Sequence, residues 1–416
     1  MLALIEYVYK LKKKVHIIGS GFSSIAASCY LAKAGYNVVV LEKNNTIGGR
    51  ARQLLKNGFT FDIGPTWYWM PDVFEKFFKD FDKKPSDFYE LEKLDPADQV
   101  YFDKEDSITI PGSLEEIYQV FENEEIGSSK HLKDFLESAK YNYDVSINDL
   151  VYKPGISPLE LVTPVTIGKI SQFLSTIRKQ VRKKIKSKKL IQILEFPVLF
   201  LGAKPSNTPA FYNFMNYADF GLGTWHPKGG MYKVIEAMVT LATSLNVTFK
   251  TNANVEEITV NEIGEAIGLV SNGEFILSDI VLSGADYHHT ETLLPTNFRQ
   301  YSEKYWNKKI FAPSSLLFYV GFDKKLENVC HHTLFFDTDF DIHAKTIYDT
   351  PSWPKEPLFY ASFPSITDGS FAPLGKEAAT FLIPLAPGIE DTPEIREKYF
   401  NIIINRLEKL TNQSVK

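Results

Sequence analysis

An α/β protein is predicted, with a Rossmann-like domain interleaved with an α+β domain that carries a mixed or antiparallel sheet and a helical, membrane-associating part. Three observations predict it. Residues 15–65 alternate short apolar runs with a glycine turn and a helical pattern. Strand-like apolar segments gather between residues 312 and 386, and an apolar-basic segment runs from 158 to 201.

Residues 15–65 have the order strand, glycine turn, helix, strand, acid that builds a dinucleotide-binding βαβ unit. The run VHII meets Gly19-Ser20-Gly21, and a helical pattern continues through Ala26, Leu31 and Ala34 until Gly35 breaks it. NVVVLE follows and ends on Glu42. Gly19 permits the tight turn, and Gly21 holds no side chain between a pyrophosphate and the N–H groups of the helix start. A carboxylate at Glu42 accepts from a ribose 2′-hydroxyl and repels a 2′-phosphate, which disfavours NADP. The third glycine position is Ser24, small but tighter than glycine where helix and strand pack. Gly48-Gly49-Arg50 comes too soon after Glu42 to be a buried helix. Its glycines let the chain pass close to a ligand, and Arg50 offers the pyrophosphate a charge-assisted contact. Asp62-Ile63-Gly64-Pro65 closes another strand-like run with a rigid turn, which places Trp67, Tyr68 and Trp69 near a ligand held there.

The chain has 416 residues, 44% hydrophobic, enough for two domains or one with a large insertion. A net charge of −5 gives general nucleic-acid binding no support. Two cysteines, Cys29 and Cys330, make no disulfide framework and fit a reducing compartment. The aromatic content of 14% fits a large apolar cavity, a membrane face or a well-filled core alike. The opening MLALIEYVYKLKKK has its charges in the reverse of signal-peptide order and reads as a short helix or an extension, and no run reaches transmembrane length.

Phe74, Phe77, Phe78 and Phe81 have helical spacing and read as a core-facing helix. VYF and SITI read as strands, Ser113 as a helix cap, and 129–141 as a helix. Next, Ile170, Phe173, Leu174, Ile177, Val181 and Ile185 share one helical face, while Arg178, Lys179, Arg182, Lys183, Lys184, Lys186, Lys188 and Lys189 crowd the other face and its end. This block reads as a monotopic membrane attachment or as a helical insertion packed on its own domain with a solvated basic side. The turn HPKGGM precedes a helix, NVTF is a strand, Asn272-Gly273 a hairpin turn, and DIVLSGAD a strand returning to the first domain. SSLLFYVGF, HTLFF, PLFYASF and AATFLIPLA read as strands of a sheet that can floor a substrate cavity, and 390–410 as a last helix. The expected domains are therefore 15–70 with 225–295, and 71–224 with 296–390, with 391–416 starting a return to the first.

His288-His289 and Cys330-His331-His332 have no partner at metal-binding spacing, so no metal is expected. The APLGKEAA loop lacks a Walker frame, and no nucleophile triad stands out. The chemistry is left to a bound redox cofactor, with the protein supplying position and a dry cavity. The glycine turn alone serves NAD or FAD equally.

Together GSGFSS, EKNNTIGGR, FDIGPTW, HPKGGM, NANVEEI, SGAD, SSLLFYVGF, HHTLFF and SFPSITDGSFAPLGKEAATFLIPLAP resemble the FAD-dependent carotenoid desaturases of the bacterial phytoene desaturase family, within the amine-oxidase-like flavoproteins. The resemblance covers nearly the whole chain from Val15. It implies extended FAD, with Gly19 and Gly21 at the pyrophosphate, Ser24 at the third glycine position, Glu42 at the adenosine ribose and Arg50 on the pyrophosphate side. Gly48 and Gly49 would line the cofactor, and the backbone of Val255 would meet the adenine. It implies desaturation of a C40 polyene, phytoene towards lycopene, by hydride transfer to flavin and proton loss, with oxygen or a quinone as acceptor. It also implies a cytoplasmic, peripherally membrane-bound protein, and names no catalytic residue. Another carotenoid desaturase, a carotene isomerase or a retinoid saturase are alternatives. The family also has a late glycine- and proline-rich segment that returns to the flavin. This chain ends at Lys416 without one, so a fragment is expected, or a truncated, non-catalytic remnant holding the adenosine half of FAD.

Overall fold

The computed structural model describes residues 13–157, 168–309 and 311–415. The readings of residues 1–12 and of the beginning of the apolar-basic segment fall outside these.

β1 (Lys14–Ile18), α1 (Phe22–Lys33) and β2 (Asn37–Leu41) form the opening βαβ unit, with β1 and β2 parallel from Lys14↔Asn37 to Ile18↔Leu41. The hairpin of β3 (Gln53–Lys56) and β4 (Phe59–Asp62) follows, then α2 (Pro71–Lys79), where the phenylalanine stripe packs towards Tyr30 and Tyr89. After β5 (Leu91–Lys93) come β6 (Asp98–Asp103), β7 (Asp106–Ile110) and α3 (Leu114–Glu124). Ser113 caps α3, its Oγ accepting from the Glu116 N–H at 3.3 Å. α4 (Ser128–Asn148) runs past the predicted end at Tyr141.

The membrane-associating part is not found. Its described residues form short, broken helices, among them α5 (Ile177–Arg182) and α6 (Lys188–Glu195), and among the described residues no helix is long and apolar enough to cross a membrane. Ile177, Val181 and Ile185 are buried with Leu190, Ile193 and Leu194 against Leu132, Phe135 and Leu136 of α4. Three of the eight basic side chains are ion-paired within the protein. Arg182 meets the buried Glu195 at 2.8 Å, Arg178 pairs with Asp341, and Lys189 lies 2.7 Å from Asp106 and 3.3 Å from Glu124. An apolar stripe with an interior partner and a basic stripe with acidic partners carry the same helical periodicity as a membrane-surface helix, so the pattern does not distinguish them.

β8 (Trp225–Pro227) pairs with β5, and α7 (Tyr232–Ser244) packs on α1 through Ile235, Met238, Ile25 and Cys29. β9 (Thr248–Lys250) then joins β2 in parallel. β10 (Val255–Val260), β11 (Ala266–Ser271) and β12 (Glu274–Leu277) make an antiparallel meander. The turn between β11 and β12 has positive φ at Asn272 and Gly273, as a two-residue hairpin requires. β13 (Ile280–Ser283) adds to the other side of β1, giving the parallel order β13-β1-β2-β9. Near-continuous apolar runs suit this sheet because it is covered on both faces.

α8 (Tyr287–Thr292) leads to the second large sheet, made of β14 (Ser314–Phe322), β15 (His332–Phe335), β16 (Phe359–Ser362) and β17 (Glu377–Leu385), with α9 (Phe340–Tyr348) between β15 and β16. β6 and β7 complete it in the order β14-β17-β16-β15-β6-β7, antiparallel except at β15–β6. One face buries Phe335, Phe359, Phe381 and Ile383 against Tyr399, Ile403 and Leu407 of α10 (Pro393–Thr411). Strand alternation turns Leu334, Tyr360 and Leu382 to the opposite face.

Candidate functional site

A cavity of about 810 Å³ opens at the carboxyl ends of β1 and β2, where open parallel sheets bind ligands. Gly19, Gly21, Glu42, Gly48, Gly49, Arg50 and Val255 all line it. The 48–49 loop lies on the glycine turn: Gly48 N–H donates to Ser20 C=O at 3.0 Å, and a Cβ on Gly49 would stand 2.9 Å from the Gly21 Cα. Ser24 is placed elsewhere. It is fully buried, and its Oγ points at Gly284, where a Cβ would overlap it. The neighbouring Ser23 lines the cavity instead.

Glu42 is buried and its two carboxylate oxygens are fully engaged. Oε2 accepts from Ser20 N–H at 3.0 Å and from Ser20 Oγ at 2.6 Å; Oε1 accepts from Asn44 N–H at 2.9 Å and from Asn44 Nδ2 at 2.5 Å. Burial acts to raise its pKa, but these hydrogen bonds outweigh burial and hold it below the usual glutamate value. The backbone of Glu42 also bonds Ala253 N–H at 2.8 Å, which sets Val255 beside the acid. Ser20, Asn44, Ala253, Asp286 and His289 line the wall without having been singled out by sequence reading as cofactor contacts. Asn44, two residues after the strand-ending acid, was the one with a local cue. Asp286 caps α8 by accepting from His288 and His289 N–H.

These residues fit an extended dinucleotide. α1 begins at Gly21 with no side-chain cap, leaving its first N–H groups for an anion. The exposed Arg50 has no protein partner among the described residues and stands on the same wall. The anionic Glu42 lines the same cavity and holds Ser20 and Asn44 in place on its wall.

A second cavity, of about 330 Å³, adjoins the first at Pro65, which lines both. Its floor is the free face of the large sheet, with Leu334, Phe336, Leu358, Tyr360, Leu382 and Pro384, and α9 and Phe196 help to wall it. The Trp67 ring lies flat on His332, with centroids 4.0 Å apart and planes at 5°. Most of its few polar groups are already paired: Tyr360 OH lies 2.8 Å from Thr66 Oγ1 and 2.6 Å from His332 Nδ1. His343 Nε2 donates to Pro384 C=O at 2.9 Å and its Nδ1 accepts from Leu358 N–H at 3.0 Å. Burial lowers His343 to about 4, so the ring is neutral.

The HPKGGM turn does not line the first cavity; it ties the 62–65 turn to α7 and to the 368–371 segment. Asp62 Oδ2 accepts from Met231 N–H at 2.9 Å, and Asp368 Oδ2 accepts from Gly229 N–H at 2.6 Å beside His226. Burial pushes Asp62 up to about 6 against these bonds. Of the histidine pairs considered for metal, His331 and His332 are buried and bonded to Thr367 and Tyr360.

Residues 25–370 match the family described as flavin containing amine oxidoreductase. The chain is 40% identical over 391 residues to a carotenoid 3,4-desaturase of Haloarcula japonica, covering 92% of this chain and 78% of that protein. It is 30% identical over 398 residues to a zeta-carotene-forming phytoene desaturase of Myxococcus xanthus, covering 93% and 76%. Among solved structures, an oxidoreductase from Methanosarcina mazei superposes with a TM-score of 0.64 at 18% identity over 97% of this chain and 85% of that one. A redesigned putrescine oxidase superposes at 0.59 and 12% identity over 95% and 81%. At these identities the two structures establish the shared fold.

Proposed function

The chain belongs to the flavin containing amine oxidoreductases, in their carotenoid-desaturase group, and from that premise we propose that it binds FAD and desaturates a long apolar carotenoid. The observation that carries this reading is the pair of cavities meeting at Pro65, one built for a dinucleotide and one apolar. In this reading Gly19, Gly21, Gly48, Gly49 and Arg50 hold the pyrophosphate region, Glu42 with Ser20 and Asn44 holds the adenosine ribose, and Val255 borders the adenine. Ser24 acts one layer behind, setting the distance between α1 and the Gly284 turn.

When bound, FAD supplies a hydride acceptor. The protein's own part is to hold the polyene in an apolar cavity against the sheet face, with Trp67 on its wall. The cavity holds one end of a C40 chain rather than its whole length. The higher identity to the 3,4-desaturase favours 3,4-desaturation of a carotenoid over conversion of phytoene to lycopene. Oxygen or a quinone takes the electrons afterwards.

The test incubates the FAD-loaded protein with phytoene, and separately with lycopene, in detergent or liposomes with a quinone, and reads double-bond number by absorption and mass. A gain of double bonds in lycopene supports the 3,4 reading, and a gain in phytoene alone supports phytoene desaturation. No gain in either sinks the proposed function.

A further inference from the structure

The apolar cavity has three side chains with exchangeable side-chain protons or ring nitrogens besides Thr66 and Trp67: His343, Tyr348 and Tyr360. His343 spends both ring nitrogens on the main chain, at Pro384 and Leu358. Tyr348 has no hydrogen-bond partner among the described residues, and burial pushes its hydroxyl up to about 12. Tyr360 differs from both, because its hydroxyl joins Thr66 Oγ1 on the cavity wall to Nδ1 of the wholly buried His332. His332 also lies in a polar row. It pairs with Ser362 on β16, and it precedes Thr333 as Asp98 precedes Gln99, the β6 partner of Thr333. His332 Nε2 and Asp98 Oδ1 are both buried with no hydrogen-bond partner among the described residues. A hydroxyl at the end of the cavity nearest Pro65, hydrogen-bonded to a buried imidazole, has the layout of a proton route.

We propose that Tyr360 is the catalytic residue that receives the proton lost from the polyene, passing its own proton to Nδ1 of His332. His332 acts through Tyr360 as a positioning residue. This rests on the desaturase reading. In the step, one C–H hydrogen leaves the substrate as a hydride to FAD. The adjacent C–H proton bonds to the Tyr360 oxygen while the Tyr360 O–H proton bonds to His332 Nδ1, and the C–H electron pair left behind becomes the new double bond. With the Tyr360 O–H given to His332, Thr66 donates to the Tyr360 oxygen. A neutral acceptor suffices, because a carbon next to a departing hydride becomes strongly acidic. The groups around His332 keep it neutral and ready to accept: burial first, then the neighbouring His226, hold it well below the usual histidine value. His331 is alongside, with ring centroids 4.6 Å apart. The resulting imidazolium has Asp98 in its row, next to Asp219, and burial pushes both of those carboxyls up, Asp219 to about 7.

Two measurements test the relay. In the flavin-free protein, ¹⁵N spectra should show His332 protonated on Nε2, with Nδ1 accepting a bond that disappears in Tyr360→Phe; a proton on Nδ1 overturns the proposal. In the FAD-loaded protein, mixed anaerobically with the carotenoid that it desaturates, Tyr360→Phe and His332→Gln should each slow flavin reduction about 100-fold. FAD content and carotenoid affinity should be unchanged, and the wild-type solvent deuterium effect on this step should vanish in Tyr360→Phe. If Tyr360→Phe does not fold, His332→Gln carries the test alone, with the same loss of the isotope effect expected. Wild-type rates and isotope effects in the variants overturn the relay and leave the desaturase reading standing. A wild-type protein that oxidises no carotenoid overturns both.

Discussion

The two cavities that meet at Pro65 are built in opposite ways. The dinucleotide-shaped one is made of main chain: a glycine turn, an uncapped helix start and a second glycine pair packed so closely on the first that a Cβ on Gly49 would stand 2.9 Å from the Gly21 Cα. The apolar one is made of side chains from β15, β16, β17, α9 and the GPTW turn, which are far apart in sequence. A backbone site tolerates almost no added atoms, whereas a side-chain site trades volume and polarity more gradually. Each of the following measurements sharpens or breaks that contrast.

The largest effect is expected from Gly49→Val. The residue has φ +58 and its Cβ meets Gly21, so the strain alone costs about 1–3 kcal/mol before the overlap is added. The purified variant should carry no flavin; a full flavin-to-protein ratio would remove the cofactor role from this cavity. Next is Ile347→Asp, a half-buried position on the wall of the apolar cavity. Loss of an apolar contact worth about 1.5–3 kcal/mol should weaken carotenoid binding roughly 10- to 100-fold while the flavin spectrum stays as it was. An equal loss of flavin in this variant would mean that the two sites are not separable.

Glu42→Gln is expected to act more mildly on the first cavity. It keeps the shape but turns an amide donor towards two of the four donors, either Ser20 N–H and Oγ or Asn44 N–H and Nδ2, and should weaken FAD about tenfold, or about 1.4 kcal/mol. Titration with FAD reads this directly. The smallest effect is a pH slope. His343 is lowered by burial from 6.5 to about 4, so between those values the unfolded chain takes up a proton that the folded ring refuses. Stability should therefore fall as pH drops through that window. His343→Gln should flatten the fall in melting temperature between pH 6.5 and 4, and an unchanged slope would show that other groups set it.

The legibility of each region follows from its construction. Gly19, Gly21, Glu42, Gly48, Gly49 and Arg50 were readable as one candidate site because they lie within 32 residues of each other and their spacing reflects local main-chain geometry. Val255 was reached through resemblance, and the structure brings it in through the Ala253 bond to Glu42. Ser24 shows the limit of a positional motif: the position was identified, but the side chain faces Gly284 and packs rather than lining the cavity. HPKGGM was read as part of the cofactor pattern and lies instead on Asp62 and Asp368. The apolar-basic segment was read as a membrane attachment or as a packed insertion because periodicity reports that a face is apolar but not what covers it; Leu132, Phe135 and Leu136 cover Ile177, Val181 and Ile185, while Ile170 and Leu174 are exposed.

By itself, the sequence determined the βαβ unit, the glycine turn with its acid, the strands of the second sheet and the last helix, because each depends on neighbours within a few residues. Only the tertiary structure decided that β6 and β7 extend that sheet, that its free face floors an apolar cavity against Pro65, and that Thr66, Tyr360 and His332 form one hydrogen-bonded chain. Those contacts join residues up to 294 positions apart, and no local pattern can specify a partner at that distance; it is set when the two sheets and their helices pack.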